Sequence, residues 1–573
     1  MWYAPGRLFS LKIVFVLLLL TVAGRAVQLN IFQGDFLKNQ AERRYLRSER
    51  LAAYRGKILD REGKVLAVST AVTSFWINPK LFLNDLNAQK LLINTFKLNP
   101  TEFQSRLKRY RDKEFMFIQR RLSEEEVKSL GEINISGLYQ MPEYRRFYPA
   151  GIAAAHLVGM SDIEEHGQEG IELAYDTYLR GELGKRLVIK DRRGSVVKDL
   201  GIQTSARDGQ DLQLSIDIRF QYATYQALEK VVTKNQAKAG TAVIVDVKRG
   251  EIIAMANYPS FDPNDRRKFD RSFLRNRALT DLFEPGSTMK PITAIAALES
   301  GLYNPDTKIE THPGYFPVGR KLIRDHRNYK TITLTQMLTK SSNVATTKIA
   351  LALPPATLPE LIYRFGFAQP LSLGYPGEQI GSAPGTDLWR PIEIATLSYG
   401  YGVSTNITQL AQAYAIIGNG GVRVPLTLFV RDNPPKTERV IDENVADDVL
   451  QMMETVISAE GTARAAGIKG YRVAGKTGTV HKLSAKGYTG KDYLSVFAGI
   501  APVSKPRWAM AVMIDEPRGK AFYGGEVAAP VFAEVIAHML HMEGVSPDET
   551  LHNVSEDISQ PIDLEKNTIP LIP

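Results

Sequence analysis

The residues with the clearest chemical potential are Ser287 and Lys290, in the segment Glu284-Pro-Gly-Ser-Thr-Met-Lys. An alanine-rich run follows and predicts a helix, in which Pro291 is tolerated in the first turn and Gly301 is a natural end. Residues three apart share one face of a helix, so the hydroxyl and the amine should lie together near its positively polarised N-terminus. The pair is typical of a serine nucleophile with an amine base, although a lone S-x-x-K is more often a capping serine and an exposed lysine.

Two later segments strengthen the nucleophile hypothesis. Ser341-Ser342-Asn343 lies between predicted helices at 334–339 and 344–353, so Ser341 and Asn343 can project together from a short connection. Arg472-Val-Ala-Gly-Lys-Thr-Gly-Thr479 predicts a cationic strand, whose glycines beside Lys476 and Thr477 let another backbone approach closely. The chain therefore carries the motifs S-x-x-K, S-x-N and K-T-G in that order.

A competing motif overlaps the third segment, because Gly470 to Thr477 also satisfies the phosphate-loop pattern G-x-x-x-x-G-K-[ST]. A phosphate loop follows a buried strand and opens a helix whose N-terminus binds phosphate. Here the residues from Gly478 to Gly490 are too rich in glycine for that helix. We therefore reject the nucleotide-binding interpretation.

Composition excludes further classes of chemistry. The chain has no cysteine, which removes disulfides, thiolate nucleophiles and cysteine-ligated metals. His538 and His541 are three apart on a predicted core helix, but a catalytic zinc site normally needs a third protein ligand. We therefore predict no metal and no cofactor. The net charge of +10 comes with no recognisable nucleic-acid-binding module, so nucleic acid is not predicted as a partner.

The N-terminus predicts a membrane anchor. As a helix, the apolar run from Leu8 to Ala26 would reach roughly 28 Å, just enough to span a bilayer. The alternative is a secretory signal cleaved after Ala26, since Gly24 and Ala26 are small. A cluster of basic residues follows, where anionic lipid headgroups would be near: Arg43, Arg44, Arg47, Arg50, Arg55, Lys57 and Arg61.

The elements that must position the motifs are predicted from hydrophobic patterning. Segments 241–247 and 251–256 predict an antiparallel hairpin, and 494–501 and 508–516 predict two more buried strands. Predicted helices include 218–233 and 526–542, and strands at both ends of the region imply a sheet closed by distant sequence. We predict an anchor at 1–27, a non-catalytic module at 28–211, a catalytic domain at 212–545 and a loosely held tail at 546–573.

The non-catalytic module also has recognisable patterns. Residues 55–67 predict two short strands around a turn at Asp60 to Gly63. Helical spacings dominate from Pro79 to Ser136, and the block from Gly167 to Gly181 predicts a helix that ends at glycine. None of these segments carries a cluster of chemically reactive residues.

The three motifs resemble the triplet S-x-x-K, S-D-N and K-T-G of class A β-lactamases and penicillin-binding proteins. Ser342 replaces the aspartate of that triplet. The wider sequence is similar to class B penicillin-binding proteins of the division-specific type, the penicillin-binding protein 3 group, from the anchor to about Met542. Four further segments carry this resemblance, besides the hairpin at 55–67: Arg145-Arg-Phe-Tyr-Pro149, Gly167 to Gly181, Glu284-Pro-Gly-Ser287 and Ser398-Tyr-Gly-Tyr-Gly402. The resemblance implies an α+β fold that begins with a transmembrane helix. An extended mixed α/β pedestal follows the helix, and then a serine-acyltransferase domain whose central antiparallel sheet is flanked by helices.

The resemblance also implies the chemistry. Ser287 would attack the carbonyl between the two terminal D-alanines of a peptidoglycan stem peptide, with Lys290 as base, and β-lactam antibiotics would acylate it. Ser341 would relay a proton, Asn343 would bind the substrate amide, and Lys476 and Thr477 would hold the terminal carboxylate. Backbone N–H groups of Ser287 and Thr479 would form the oxyanion hole. Gly478, Tyr399 and Tyr401 would complete the substrate site. The alternative for each tyrosine is an ordinary position in the core or on the surface.

Two other functions on the same motifs stay open. One is a hydrolase, either a D,D-carboxypeptidase or a β-lactamase, and the other is a non-enzymatic β-lactam sensor or division scaffold. The anchor and the additional N-terminal module favour the transpeptidase. The resemblance places the protein in the bacterial inner membrane as a single-pass protein, with its catalytic domain in the periplasm at the division septum. No glycosyltransferase module is evident, so a partner glycosyltransferase and other division proteins are expected.

Overall fold

The computed structural model describes residues 5–33, 46–51, 53–190, 196–265, 270–385, 390–482 and 492–549. The chain forms two compact units, each built from separated stretches of sequence. Unit 1 comprises Met1–Gly56, Ala71–Tyr144 and Arg180–Gln210, and unit 2 comprises Lys57–Thr70, Arg145–Leu179 and Asp211–Pro573. The domain boundaries at 27, 211 and 545 stay predictions, and most of the predicted tail lies outside the described residues.

A five-stranded antiparallel sheet is the centre of unit 2. Its strands, in spatial order, are Ile252–Tyr258, Ala239–Asp246, Trp508–Asp515, Tyr493–Ala501 and Ala474–His481. Nearly every residue of the middle strands is buried, which is the pattern of a sheet covered on both faces. The α+β fold and the closure of the sheet by distant sequence are therefore confirmed.

Helices pack on this sheet and complete the core of unit 2. The helices Ile218–Lys234 and Ala529–Met542 pack on the sheet and on each other. The helix Ile407–Gly418 also packs on the sheet and is buried at all of its residues. Its N-terminus is a capping box, in which the side chains of Asn406 and Gln409 each bind the backbone N–H of the other.

The other elements of unit 2 surround this core. Its remaining strands are Ile58–Leu59, Met160–Ser161, Gly167–Glu169, Leu212–Gln213, Lys308–Glu310, Tyr315–Val318, Lys321–Arg324, Thr331–Thr333, Val422–Arg423 and Glu438–Arg439. Its remaining helices, short 3₁₀ turns included, are Gly151–Val158, Gly170–Ala174, Asp176–Arg180, Arg271–Phe273, Arg277–Thr280, Gly286–Met289, Lys290–Glu299, Leu334–Lys340, Asn343–Ala352, Thr357–Arg364, Pro391–Ser398, Glu443–Glu454, Thr455–Ile457, Arg464–Ala466 and Gly524–Val527.

Unit 1 combines strands and helices around its own small core. One sheet has the order Leu46–Leu51, Gly184–Lys190, Val196–Thr204. A second contains the C-terminal half of Val65–Ile77, paired with Met116–Leu122. The remaining elements are the strand Leu138–Phe147 and the helices Pro79–Phe82, Leu86–Phe96, Pro100–Arg109 and Glu124–Ser129. Phenylalanines dominate the core: Phe75, Phe82, Phe96 and Phe103.

The N-terminal helix Pro5–Val27 matches the predicted span. Its segment Phe9–Val27 has a mean hydropathy of 2.0, and none of it is buried within the protein. A long apolar helix that no other described residue covers fits a single-pass membrane anchor.

One prediction about the N-terminal half is wrong. The block from Gly167 to Gly181 is not one helix but the strand Gly167–Glu169 followed by two five-residue helices. Gly170 takes a positive φ of 62°, which interrupts regular structure at the junction. The helical character predicted from Pro79 to Ser136 is confirmed by four helices, and the stretch also contains the strand Met116–Leu122, which was not predicted.

Candidate active site

Ser287 lies in a tight turn that leads into a buried helix. The turn Gly286–Met289 is 3₁₀ and continues into the helix Lys290–Glu299, which we call the nucleophile helix. Gly286 has a φ of 56°, and a Cβ there would lie 2.5 Å from the Val480 side chain. Only glycine suits this position, so the backbone places the half-buried Ser287 at the surface of a cleft.

Lys290 is completely buried directly behind the cleft. Its amine donates hydrogen bonds to the Ser341 carbonyl at 2.6 Å, the Ser341 hydroxyl at 3.1 Å and Asn343 Oδ1 at 2.8 Å. Three polar groups therefore surround this amine, and one of them, the Ser341 hydroxyl, can donate as well as accept a hydrogen bond. The first and second sequence motifs are therefore brought into contact, as predicted.

The connection with Ser341 and Asn343 is held in an unusual conformation. Ser341 ends the helix Leu334–Lys340 with a left-handed φ of 57°, which is uncommon outside glycine. Ser342 caps the next helix, Asn343–Ala352, by accepting the N–H of Ala345 at 3.0 Å. We call this second helix the S-x-N helix. The turn projects Ser341 and Asn343 toward Lys290 while Ser342 is buried.

The third motif lies on Ala474–His481, the outer strand of the central sheet, which we call the K-T-G strand. Lys476 and Thr477 are thus in the middle of a strand and not at the start of a helix, as a phosphate loop would require. Lys482 donates its N–H to the carbonyl of Asp492 in the neighbouring chain segment, at 2.9 Å. The register with the strand Tyr493–Ala501 is regular, so every second N–H of the K-T-G strand bonds to that neighbour. The N–H groups of Thr477 and Thr479 therefore point to the opposite edge, which we call the free edge because no described strand pairs with it.

Lys476 joins the same buried cluster from the sheet. Its amine lies 3.1 Å from the Ser341 hydroxyl, so that hydroxyl is shared by Lys290 and Lys476. The Thr477 hydroxyl lies 2.8 Å from that of Thr462. One hydroxyl between two amines can accept a proton from one and donate its own to the other.

Burial of the two amines favours their neutral forms. Burial, and then the positive charge of Lys476, hold the pKa of Lys290 well below the usual lysine range, while the Asp325 carboxylate partly offsets them. Burial lowers the pKa of Lys476 to about 7. Burial and the neighbouring positive charge therefore both favour the neutral form of Lys290.

The cleft in front of these residues has a volume of about 680 Å³. Seven predicted site residues line it: Ser287, Ser341, Asn343, Tyr399, Tyr401, Thr477 and Thr479. Lys290 and Lys476 lie behind the cleft. Gly478 packs closely against the turn before the nucleophile helix, because a Cβ added to it would lie 3.1 Å from atoms of Pro285 and Thr288. The rings of Tyr399 and Tyr401 contact each other edge to face at 5.7 Å. The structure therefore brings together every predicted site residue.

The sequence interpretation missed an aromatic wall of the cleft. Tyr493 and Phe522 stack at 4.6 Å, Phe522 and Tyr523 stack at 4.4 Å, and the His481 ring lies 4.5 Å from Tyr493. His326 contacts Tyr523 at 6.4 Å. No motif connects these positions, because only the pairing of distant strands brings them to one side of the cleft.

Two carboxylates near the motifs differ in position. Glu284 Oε1 accepts the N–H of Gly402 at 2.9 Å, and this side chain lines a separate cavity and not the Ser287 cleft. Glu526, which the sequence interpretation did not consider, is exposed and lines the cleft itself. Within the described ranges, no group of three or more potential metal-ligating side chains is found.

Comparison with known protein families gives two matches. A model described as "Penicillin binding protein transpeptidase domain" matches residues 240–537, and one described as "Penicillin-binding Protein dimerisation domain" matches residues 50–214. All three motifs lie within the first match.

Two relatives match almost end to end. The chain is 40% identical over 544 residues to the probable peptidoglycan D,D-transpeptidase PbpC of Pseudomonas aeruginosa, covering 95% of this chain and 96% of the relative. It is 37% identical over 546 residues to the peptidoglycan D,D-transpeptidase FtsI of Escherichia coli, covering 94% and 92%.

Solved structures are similar in fold. Penicillin-binding protein 3 of Mycobacterium tuberculosis, in complex with aztreonam, superposes with a TM-score of 0.68 at 26% identity, covering 87% of this chain and 98% of that one. The transpeptidase domain of penicillin-binding protein 3 from Burkholderia pseudomallei gives a TM-score of 0.55 at 40% identity, covering 59% and 98%.

Proposed function

Because the chain belongs to the penicillin-binding protein transpeptidase family, we propose that it is a peptidoglycan D,D-transpeptidase that acts in septal cell-wall synthesis. It cross-links stem peptides through an acyl-enzyme on Ser287, and β-lactams inhibit it by acylating the same serine. The observation that carries the proposal is the junction of three distant motifs, in which Lys290 binds Ser341 and Asn343 while Lys476 binds Ser341.

Acylation begins when Ser287 Oγ attacks the carbonyl between the two terminal D-alanines. Its proton passes to the neutral amine of Lys290, and the new C–O bond gives a tetrahedral intermediate. The low pKa of Lys290 supports this role, because a lysine with the reference pKa of about 10.4 is almost fully protonated at neutral pH. The Ser341 hydroxyl, 3.1 Å from each of the two amines, holds Lys290 in place beside Lys476.

Collapse of the intermediate requires a proton on the departing amine. As the C–N bond breaks, the proton held by Lys290 passes through the Ser341 hydroxyl to the leaving D-alanine. An acceptor amine then attacks the acyl carbonyl, loses a proton to Lys290 and displaces Ser287 Oγ, which regains its hydrogen. Asn343 orients the donor amide during both steps.

Recognition of the donor uses the K-T-G strand. Lys476 supplies positive charge behind the cleft, and the Thr477 hydroxyl binds the terminal carboxylate. The free-edge N–H of Thr479 and the N–H of Ser287 bind the developing oxyanion. Gly478 keeps this edge accessible, while Tyr399 and Tyr401 border the donor peptide.

Transfer and hydrolysis can be distinguished with defined substrates. Purified protein incubated with a D-Ala-D-Ala-terminated stem peptide and an amine acceptor is expected to release D-alanine and form the cross-linked product. The measurement is mass spectrometry of both products over time, with Ser287→Ala as the control. D-alanine release without acceptor-dependent product would indicate a carboxypeptidase, and no release by wild-type protein would contradict the enzyme proposal.

We propose that residues 1–7 are cytoplasmic, that the helix Pro5–Val27 anchors the protein in the inner membrane, and that the catalytic unit is periplasmic. The chain has no cysteine, so single cysteines report sidedness without background. We expect a membrane-impermeant maleimide to label Ser205→Cys in spheroplasts and Gly6→Cys only after lysis. A soluble mature protein that begins after Ala26 would instead indicate signal cleavage.

We further propose that a glycosyltransferase and other division proteins work with this chain. The motifs found support acyl transfer only, so the glycan strands must be polymerised by another protein.

A further inference from the structure

Asp325 is a carboxylate beside the active site that belongs to none of the three motifs. It directly follows the strand Lys321–Arg324, and its backbone N–H donates to the Gly314 carbonyl at 3.0 Å. Its carboxylate accepts three hydrogen bonds: from the Ser342 hydroxyl at 2.6 Å, the Asn343 N–H at 2.6 Å and the Val344 N–H at 3.0 Å. All three donors lie at the start of the S-x-N helix, so one side chain fixes this connection.

Arg324, the residue before Asp325, also binds Asn343. The Arg324 carbonyl accepts the side-chain N–H of Asn343 at 3.2 Å, while Asn343 Oδ1 accepts from Lys290 at 2.8 Å. The two ends of this amide therefore have different partners, which sets its orientation. The polypeptide at Arg324 and Asp325 holds Asn343 by its backbone and by its side chain.

We propose that Asp325 is a positioning residue for acyl transfer, which holds Ser341 and Asn343 against the amine of Lys290. The proposal rests on the acyltransferase function and adds to it a residue outside the three motifs. The left-handed φ of Ser341 gives a physical reason for such a device. A non-glycine residue in this conformation needs support from its surroundings, and Asp325 holds the three residues that directly follow Ser341.

Asp325 also contributes an electrostatic effect at Lys290. The charged groups that act on this amine are Lys476, from the K-T-G strand, and Asp325, while Ser341 and Asn343 contribute neutral acceptors. Lys476 lowers the pKa of Lys290, and Asp325 raises it. Removal of the Asp325 charge should therefore let Lys290 lose its proton at lower pH.

Two substitutions separate the two effects. Asp325→Ala removes all three hydrogen bonds, and we expect it to lower the second-order rate constant of acylation by penicillin about 100-fold, as small displacements of catalytic groups do. Asp325→Asn keeps an acceptor but removes the charge, so the rise of the acylation rate with pH should move to lower pH. The measurement is stopped-flow acylation across pH, with the exposed Asp306→Asn as a matched control that should resemble wild type.

Failure of the positioning role can be distinguished from failure of the proposed acyltransferase function. Wild-type acylation rates and pH profiles in both Asp325 variants, with Ser287 still labelled in wild type, would overturn the positioning role alone. A slower Asp325→Asn with an unshifted pH profile would indicate a purely structural cap and would also overturn it. If Asp325→Ala does not fold, as judged by circular dichroism and melting temperature, the pH profile of Asp325→Asn decides.

Discussion

Replacement of Ser287 by alanine is expected to abolish covalent labelling by β-lactams and to lower the turnover of a D-Ala-D-Ala peptide by about 10⁶-fold. The reason is that no other described hydroxyl combines a place at the cleft surface with the start of the nucleophile helix. The change removes one oxygen from a half-buried side chain, so the fold should be retained. The measurement is intact-protein mass spectrometry after exposure to a labelled penicillin.

A matched control lies on the same helix. Ser300→Ala removes a hydroxyl at the opposite end of the nucleophile helix, where it binds the Ala297 carbonyl, and should label like wild type. Peptide mapping of the wild-type adduct should identify Ser287. An adduct on any other residue, or labelling that survives in Ser287→Ala, would contradict the central assignment.

Replacement of Lys290 is expected to have the next largest effect. Lys290→Arg keeps a positive charge but cannot act as a neutral amine, so acylation should fall by about 10²- to 10⁴-fold. The wild-type rate should rise as pH increases through the lowered pKa of Lys290, because only the neutral amine accepts the Ser287 proton. In the variant this rise should disappear. Stopped-flow acylation across pH measures both effects.

A second variant is needed at Lys290 because the site is buried and arginine, which is larger than lysine, can disturb the packing there. Lys290→Met removes the amine with little change in volume and should show the same loss. Lys230→Arg, on a side chain that is 65% exposed, should be unaffected. Near-normal acylation by a folded Lys290→Met would rule out the amine as the base.

The candidate site was largely predictable because its chemistry is encoded in three short motifs. Spacing within S-x-x-K predicted that Ser287 and Lys290 share a face, and the connection at Ser341 was predicted between two helices that the structure confirms within one residue. The central strands at 241–247, 251–256, 494–501 and 508–516 were recognisable as mostly apolar runs, which is the pattern of a sheet buried on both faces.

The rest of the site depends on long-range packing that no local pattern reports. Asp325 lies in a polar segment and belongs to no motif, so nothing in the local sequence distinguishes it. Its role follows only from contacts with residues 17 to 19 positions away. The aromatic wall combines Tyr493 with Phe522 and Tyr523 through the arrangement of separate elements. The predicted helix at Gly167 to Gly181 fails at its start for the same reason, because Gly167–Glu169 pairs with the strand Met160–Ser161.

The free edge of the K-T-G strand bears on how the protein can escape an inhibitor. A ligand that binds the N–H of Thr479 uses an atom common to nineteen of the twenty amino acids, so side-chain replacement leaves that donor in place. Proline alone removes it. Mutations that abolish such binding must therefore move or obstruct the strand. Gly478 is one such position, because a Cβ added there would lie only 3.1 Å from atoms of Pro285 and Thr288. Those same changes would also hinder the natural peptide, which limits the genetic routes to resistance.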